Sequence, residues 1–185
     1  FKPRKVATRV HSIGKNPPEM ALYTALTEYI DKTYRAAEKA GGQVKVNTEF
    51  AMVLLQRRMA SSFAALERSL LRRRDALLNK LAAPPVVLSI EQTKDQTEAE
   101  RWKQEEIAET ASPAQTQQER EKEALLLDLL LTMLSAVRAT GIETKVEELR
   151  AILDETGIAP SNGEKLLVFT EFKDTLDFLR QFFEG

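Results

Sequence analysis

Residues 50–81 read FAMVLLQRRMASSFAALERSLLRRRDALLNKL, and the spacing of their apolar side chains decides the fold class. At about 100° per residue, Met59, Phe63, Leu66, Leu70, Leu77 and Leu81 fall within roughly a 60° sector, the stripe of an amphipathic helix. Arg57, Arg68 and Arg72 fall on the opposite side. Phe50, Val53 and Leu54 are out of phase with the stripe, so a bend or break is expected near residues 57–62. Ser61 or Ser62 can cap the second helix there, and Thr48 is the expected cap of the first.

Upstream, Asn16-Pro17-Pro18-Glu19 is a turn and helix start. Leu22, Leu26, Ile30, Tyr34 and Ala37 then recur every three or four residues, predicting a helix over 19–39 that Gly41-Gly42 stops. Residues 1–13 read as extended. Downstream, Pro84-Pro85 opens a stretch over 83–118 rich in Glu, Gln, Thr and Lys with little apolar periodicity, expected to be an acidic flexible linker or a loosely held helix, in part disordered. Residues 119–140 carry a broad Leu-rich band ended by Gly141. Thr144-Lys145-Val146-Glu147 has the spacing of a capping box, opening a short helix that Gly157 closes. After the turn Ser161-Asn162-Gly163, residues 165–170 (KLLVFT) suit a buried parallel strand, and Asp174 can cap a helix carrying Leu176, Leu179 and Phe183.

These readings give a mainly α fold: a helical bundle with one terminal β-strand/helix unit from an incomplete α/β lobe. Four segments are expected. Residues 1–82 are an extended segment and basic helices, and 83–118 the linker. Residues 119–157 form a helical hairpin, and 158–185 are the first strand and helix of the lobe. The start without Met and the end just after a helix-like run suggest a piece of something longer.

Of 185 residues, 43% are hydrophobic and 30% charged, enough for a packed core and too apolar for global disorder. With no cysteine, neither a disulfide framework nor a thiolate metal site can form. No uninterrupted apolar run of about 18 residues and no signal-peptide core are visible, so neither a membrane span nor secretion is expected, and a cytoplasmic location is the default. The net charge of −1 hides a division. Residues 1–90 hold 16 Lys/Arg against 7 Asp/Glu, and residues 91–185 hold 11 against 21, so the halves carry +9 and −10. Either one half faces an anionic surface such as nucleic acid, or the two halves attract each other.

The single histidine, His11, excludes His-based triads and multi-His metal sites. No G-x-x-x-x-G-K-[ST] loop is present to cradle a phosphate. Catalysis by this chain alone is not expected. Trp102 is the one large apolar residue of the linker, fitted to pack on the nearest surface, the alternative being a partner-docking role. The strongest charge feature is Arg57, Arg58, Arg68, Arg72, Arg73 and Arg74, guanidinium groups along a helix that suit a run of phosphates. The competing readings are a solvated face or pairing with the acidic half.

Residues 164–179, EKLLVFTEFKDTLDFL, resemble motif IV in the second RecA-like lobe of superfamily-two helicases. The resemblance is closest to the Swi/Snf-type branch that includes the RapA-like proteins and helicases of phage-defence systems. Residues 54–62 (LLQRRMASS) followed by Ala65-Leu66 resemble the inter-lobe helical stretch of that branch. Residues 144–149 resemble the helix before the second lobe, and Pro18-Glu19, Leu22-Tyr23 and Tyr29 the segment after the first. The resemblance implies an inter-lobe helical module plus the start of lobe two from an ATP-dependent DNA helicase or translocase. ATP and Mg would be cofactors of the parent, with none held by this segment, because Walker A, the DEAH-type motif and the lobe-two arginine motif have no counterpart here. Duplex DNA and the remaining lobes would be its partners, with no membrane. It places Thr170, Glu171 and Lys173 near the nucleic-acid backbone: Thr170 donating to a phosphate, Lys173 adding charge, Glu171 orienting neighbours. The implied nucleic-acid-binding set is Arg57, Arg58, Arg68, Arg72, Arg73, Thr170 and Lys173. The alternative is a stand-alone helical adaptor that binds a protein through its Leu-rich helices.

Overall fold

A computed structural model describes residues 6, 8, 9, 16–79, 97–141, 143–158 and 165–184. Helix α1 (Pro17–Ala40) begins as expected: Asn16 Oδ1 accepts from the Glu19 N–H, and two prolines occupy the first turn, where no N–H is needed. Gly41, at φ +67°, reverses the chain into α2 (Gly42–Ser61). The expected start at Thr48 is corrected, since α2 begins six residues earlier and buries Thr48 in its interior. The cap position of α2 is Gly41, which has no side chain to make a capping bond. The Tyr34 hydroxyl donates to Glu49 O and the Tyr23 hydroxyl to Met59 O, so the two helices run antiparallel.

The break expected near residues 57–62 is present and one residue long. Ser62, at φ −160° and ψ 157°, separates α2 from α3 (Phe63–Leu78), and its Oγ accepts the Ala65 N–H at 3.1 Å. Phe63, Leu66, Leu70 and Leu77 of the sequence stripe are all buried, and Met59 packs at the margin of the same core. Leu81 lies outside the described residues, as do most of the expected extended stretch at 1–13, His11, and the turn at Ser161-Asn162-Gly163.

Residues 98–108 of the expected linker are helical. Helix α4 (Glu98–Ala108) opens on a complete capping box, Thr97 with Glu100. The connection after it buries Glu109 and Ala111. Residues 83–96 lie outside the described residues. A second capping box, Thr116 with Glu119, opens α5 (Gln117–Ala139), antiparallel to α3 because Arg74 meets Asp128 and Arg138 meets Glu67. Leu22, Leu26 and Ile30 of α1, Met52 and Leu55 of α2, the α3 stripe, and Leu127, Leu130, Leu134 and Val137 of α5 make one core.

One expectation about membranes changes. The stretch Gln117–Thr156 has a window of mean hydropathy 1.7 and passes, by length and composition, for a helix able to cross a membrane. In the structure α5 packs one face on α1 and α3, pairs Asp128 with Arg74 at 3.2 Å, and leaves Leu125 and Leu129 exposed.

Helix α6 (Thr144–Thr156) buries none of its residues. Its expected capping box is not formed, because the Thr144 hydroxyl donates to Glu19 Oε2 instead. Gly157 ends it in the left-handed conformation. The strand expected over 165–170 is not formed: among the described residues there is no strand, and 165–170 has no regular secondary structure and is largely exposed. Leu167 is 76% and Phe169 85% accessible. A parallel strand needs sheet neighbours for its ladder, and none lies beside it among the described residues. Helix α7 (Lys173–Glu184) closes the fold, and only Asp174 and Thr175 of it are buried.

Candidate nucleic-acid interface

The last turn of α2 supplies Arg57 and Arg58, and the outer face of α3 supplies Arg68 and Arg72. The Ser62 break turns α3 so that both sets converge on the N-terminus of α7. Asp174 receives all three nearer guanidiniums: Arg58 Nη1 at 2.7 Å, Arg72 Nη2 at 2.8 Å and Arg68 Nη1 at 3.2 Å. Glu109, just past α4, takes the other side. Its Oε2 lies 2.8 Å from Arg58 Nε and accepts from Ser69 Oγ at 2.7 Å, while its Oε1 pairs with Arg72 Nε. The Arg58 Nε contact is an ion pair without hydrogen-bond alignment, which leaves that donor unsatisfied. Phe172 lies beneath, its ring centroid 4.8 Å from Arg58 Cζ. Farther out, Arg57 pairs with Glu171, Arg68 reaches Asp177 at 3.9 Å and Arg72 reaches Glu106 at 3.8 Å.

Burial opposes the charge on Arg72, but the carboxylates of Glu109 and Asp174 outweigh it and raise its pKa. Nearby, burial pushes the Glu105 carboxyl above its ordinary range, against the pull of Arg101 and Arg58. Polar contacts extend the joint. Thr175 Oγ1 lies 2.7 Å from Ser61 Oγ and 2.9 Å from Ser62 Oγ, and the Trp102 indole N–H donates to Glu171 O at 3.1 Å. Alongside runs a cleft of about 430 Å³ bordered by Lys145, Phe169, Thr170 and Phe178.

Arg73 belongs to a different network. Expected on the outer face with its neighbours, it is instead 1% accessible and points into the bundle. Its Nη1 donates to Glu109 O at 2.9 Å and Ala111 O at 2.6 Å, its Nη2 to Glu123 Oε1 at 2.8 Å, and its Nε to the Tyr29 hydroxyl and Glu123. The Tyr29 hydroxyl donates in turn to Glu123 Oε1 at 2.8 Å. Burial alone would raise the Glu123 carboxyl, yet Arg73 and the Ser112 and Tyr29 hydroxyls hold it below the ordinary carboxylate range.

The seven expected residues therefore separate. Arg58, Arg68 and Arg72 come together, with Arg57 at their edge. Arg58 is 3% accessible as well, so an exposed face is corrected for both Arg58 and Arg73. Thr170 is partly exposed and Lys173 exposed at the rim, the former on the cleft. Glu109, Asp174 and Glu123 organise the clusters. The sequence signal that pointed to them was the opposite charge of the two halves, which here meet in ion pairs. Among the described residues, no group of three or more His, Asp or Glu side chains is arranged to hold a metal ion. Comparison of the chain with protein-family models, with curated proteins and with solved structures gave no match.

Proposed function

We propose that this chain is the inter-lobe helical module and the opening unit of the second lobe of an ATP-driven nucleic-acid motor. The observation that carries the reading is the unit formed by residues 165–184. An apolar segment without regular secondary structure, with Leu167 and Phe169 in solvent, leads into a helix fastened by its first turn to a basic helical module. Exposed apolar side chains on a segment with unpaired peptide groups suit a strand that pairs in a sheet, and the motif IV resemblance falls on the same residues. In this reading α2 and α3 join the lobes, carry their closure to α7 and offer guanidiniums to duplex DNA. Thr170 and Lys173 meet the phosphate backbone beside them. ATP and Mg bind to the parent's lobes, the location is cytoplasmic, and this segment alone turns over no ATP.

Sequencing the coding DNA on both sides tests the reading. A P-loop and a DEAH-type motif upstream, with an arginine motif downstream, are expected. Start and stop codons closely flanking the 185 residues would sink it. The second reading, a helical adaptor, draws on the exposed Leu125, Leu126 and Leu129 of α5, which offer an apolar surface to a protein partner.

A further inference from the structure

We infer that the cradle formed by Arg58, Arg68 and Arg72 is a phosphodiester-binding site held shut by α7, with the Asp174 carboxylate seated where a phosphate would sit. This rests on the nucleic-acid reading above and adds its regulation: docking of α7 and binding of the DNA backbone exclude each other.

Three guanidiniums within 3.2 Å of one carboxylate supply the planar, forked donors that phosphate oxygens accept equally well. The charge balance depends on α7. Arg57, Arg58, Arg68 and Arg72 face five paired carboxylates, Glu106, Glu109, Glu171, Asp174 and Asp177, for a net −1. Glu171, Asp174 and Asp177 belong to α7 and its lead-in, so release of α7 leaves four guanidiniums and two carboxylates, a net +2. The cradle changes sign with the position of one helix.

The attachment of α7 is also of a kind that an anion can displace. Only Asp174 and Thr175 of the helix are buried, with Phe172 before it, while Leu176 and Phe183 remain more than 40% accessible. No residue of α7 beyond Thr175 is fully buried, Phe178, Leu179 and Phe182 being partly buried, and buried ion pairs roughly break even against the desolvation they require. A phosphate entering the cradle replaces Asp174 like for like, and the helix then loses its anchor.

The chain reports on the release itself, because its one tryptophan, Trp102, donates to the Glu171 carbonyl on the lead-in to α7. The test uses the full chain, a fluorescein-labelled DNA duplex followed by anisotropy across a salt series, and two variants. Asp174→Asn removes the resident anion. Thr175→Val loosens α7 through its bonds to Ser61 and Ser62 and changes no charge. Both variants are expected to bind the duplex more tightly, by about tenfold for Asp174→Asn, with a salt slope steeper by about two phosphate contacts. In the unaltered chain, duplex is expected to shift Trp102 emission to the red and to speed amide exchange over 173–184. If the duplex binds the chain and both variants alike and exchange in α7 stays protected, the inference falls and the nucleic-acid reading stands. If no form binds the duplex at any salt, both fall.

Discussion

Replacing Arg73 by Met should come close to unfolding the chain, and the cost should depend on pH in a definite direction. Met fills much of the aliphatic volume but removes the donors to Glu109 O, Ala111 O and Glu123. Breaking a buried pair by removing one partner costs about 3–5 kcal/mol, because the remaining charge is uncompensated. Each stranded buried carbonyl adds about 1 kcal/mol, partly relieved by relaxation. A total of about 4–6 kcal/mol is expected, against a net stability of about 5–15 kcal/mol for a domain. In the unaltered chain Glu123 is held below the ordinary carboxylate range. Its contribution is therefore fully present above the unfolded value, about 4.3, and is lost as pH falls through the folded value. Without Arg73 the sign reverses: burial, the largest influence on Glu123, raises its pKa, so the penalty is present at neutral pH and relieved by protonation in acid. Urea unfolding followed by far-UV circular dichroism, at about pH 7 and about pH 5, measures both quantities. The double variant Arg73→Met/Glu123→Met should recover more than half the loss. A cost below about 2 kcal/mol at neutral pH, or the same cost at both pH values, would refute the account of Arg73 as charge partner of Glu123.

Three further outcomes follow from single contacts. Ser62→Ala loses the cap on Ala65 and a hydroxyl contact to Thr175, so thermal melting should show a loss of about 1–2 kcal/mol. Gly41→Ala meets no atom within 4 Å, so its expected cost of about 1–3 kcal/mol is the strain of φ +67° with ψ −172°, a region essentially confined to glycine, readable from the urea midpoint. Glu143 is raised chiefly by burial, against the Phe63 N–H it accepts. It therefore weighs against the fold above its raised pKa, and Glu143→Gln should stabilise by about 1 kcal/mol at neutral pH, a gain that vanishes in acid.

Periodicity made much of the bundle legible, because Leu22, Leu26 and Ile30, and then Phe63, Leu66, Leu70 and Leu77, fall on single helix faces that must be buried. The break at Ser62 was legible for the same reason, as a change of phase. Helix α4 was legible only as an alternative to a linker, because what it buries is Glu105 and Ala108, which make no apolar stripe. The partners of the arginines were hidden by distance along the chain. Arg72 meets Glu109 37 positions on, and Arg58 meets Asp174 116 positions on, far beyond the three- and four-residue spacings that helical patterns reveal. Arg73 lies one residue, and so about 100°, around the helix from Arg72, which turns it from the outer cluster into the interior. The apolar run at 165–170 reads as a strand by composition, but a strand exists only through its ladder, and composition does not say where the ladder is.

The two ionic networks meet in one residue. Glu109 gives its side chain to Arg58 and Arg72 on the outside and its carbonyl to Arg73 on the inside. A carboxylate can swing about its side-chain torsions while its peptide unit stays in place, so the outer cluster can rearrange without disturbing the inner one. The proposed opening at α7 would then be a local event, separate from the cooperative melting of the bundle. One amino acid acts as an insulator between a surface that can exchange partners and a core that keeps its own.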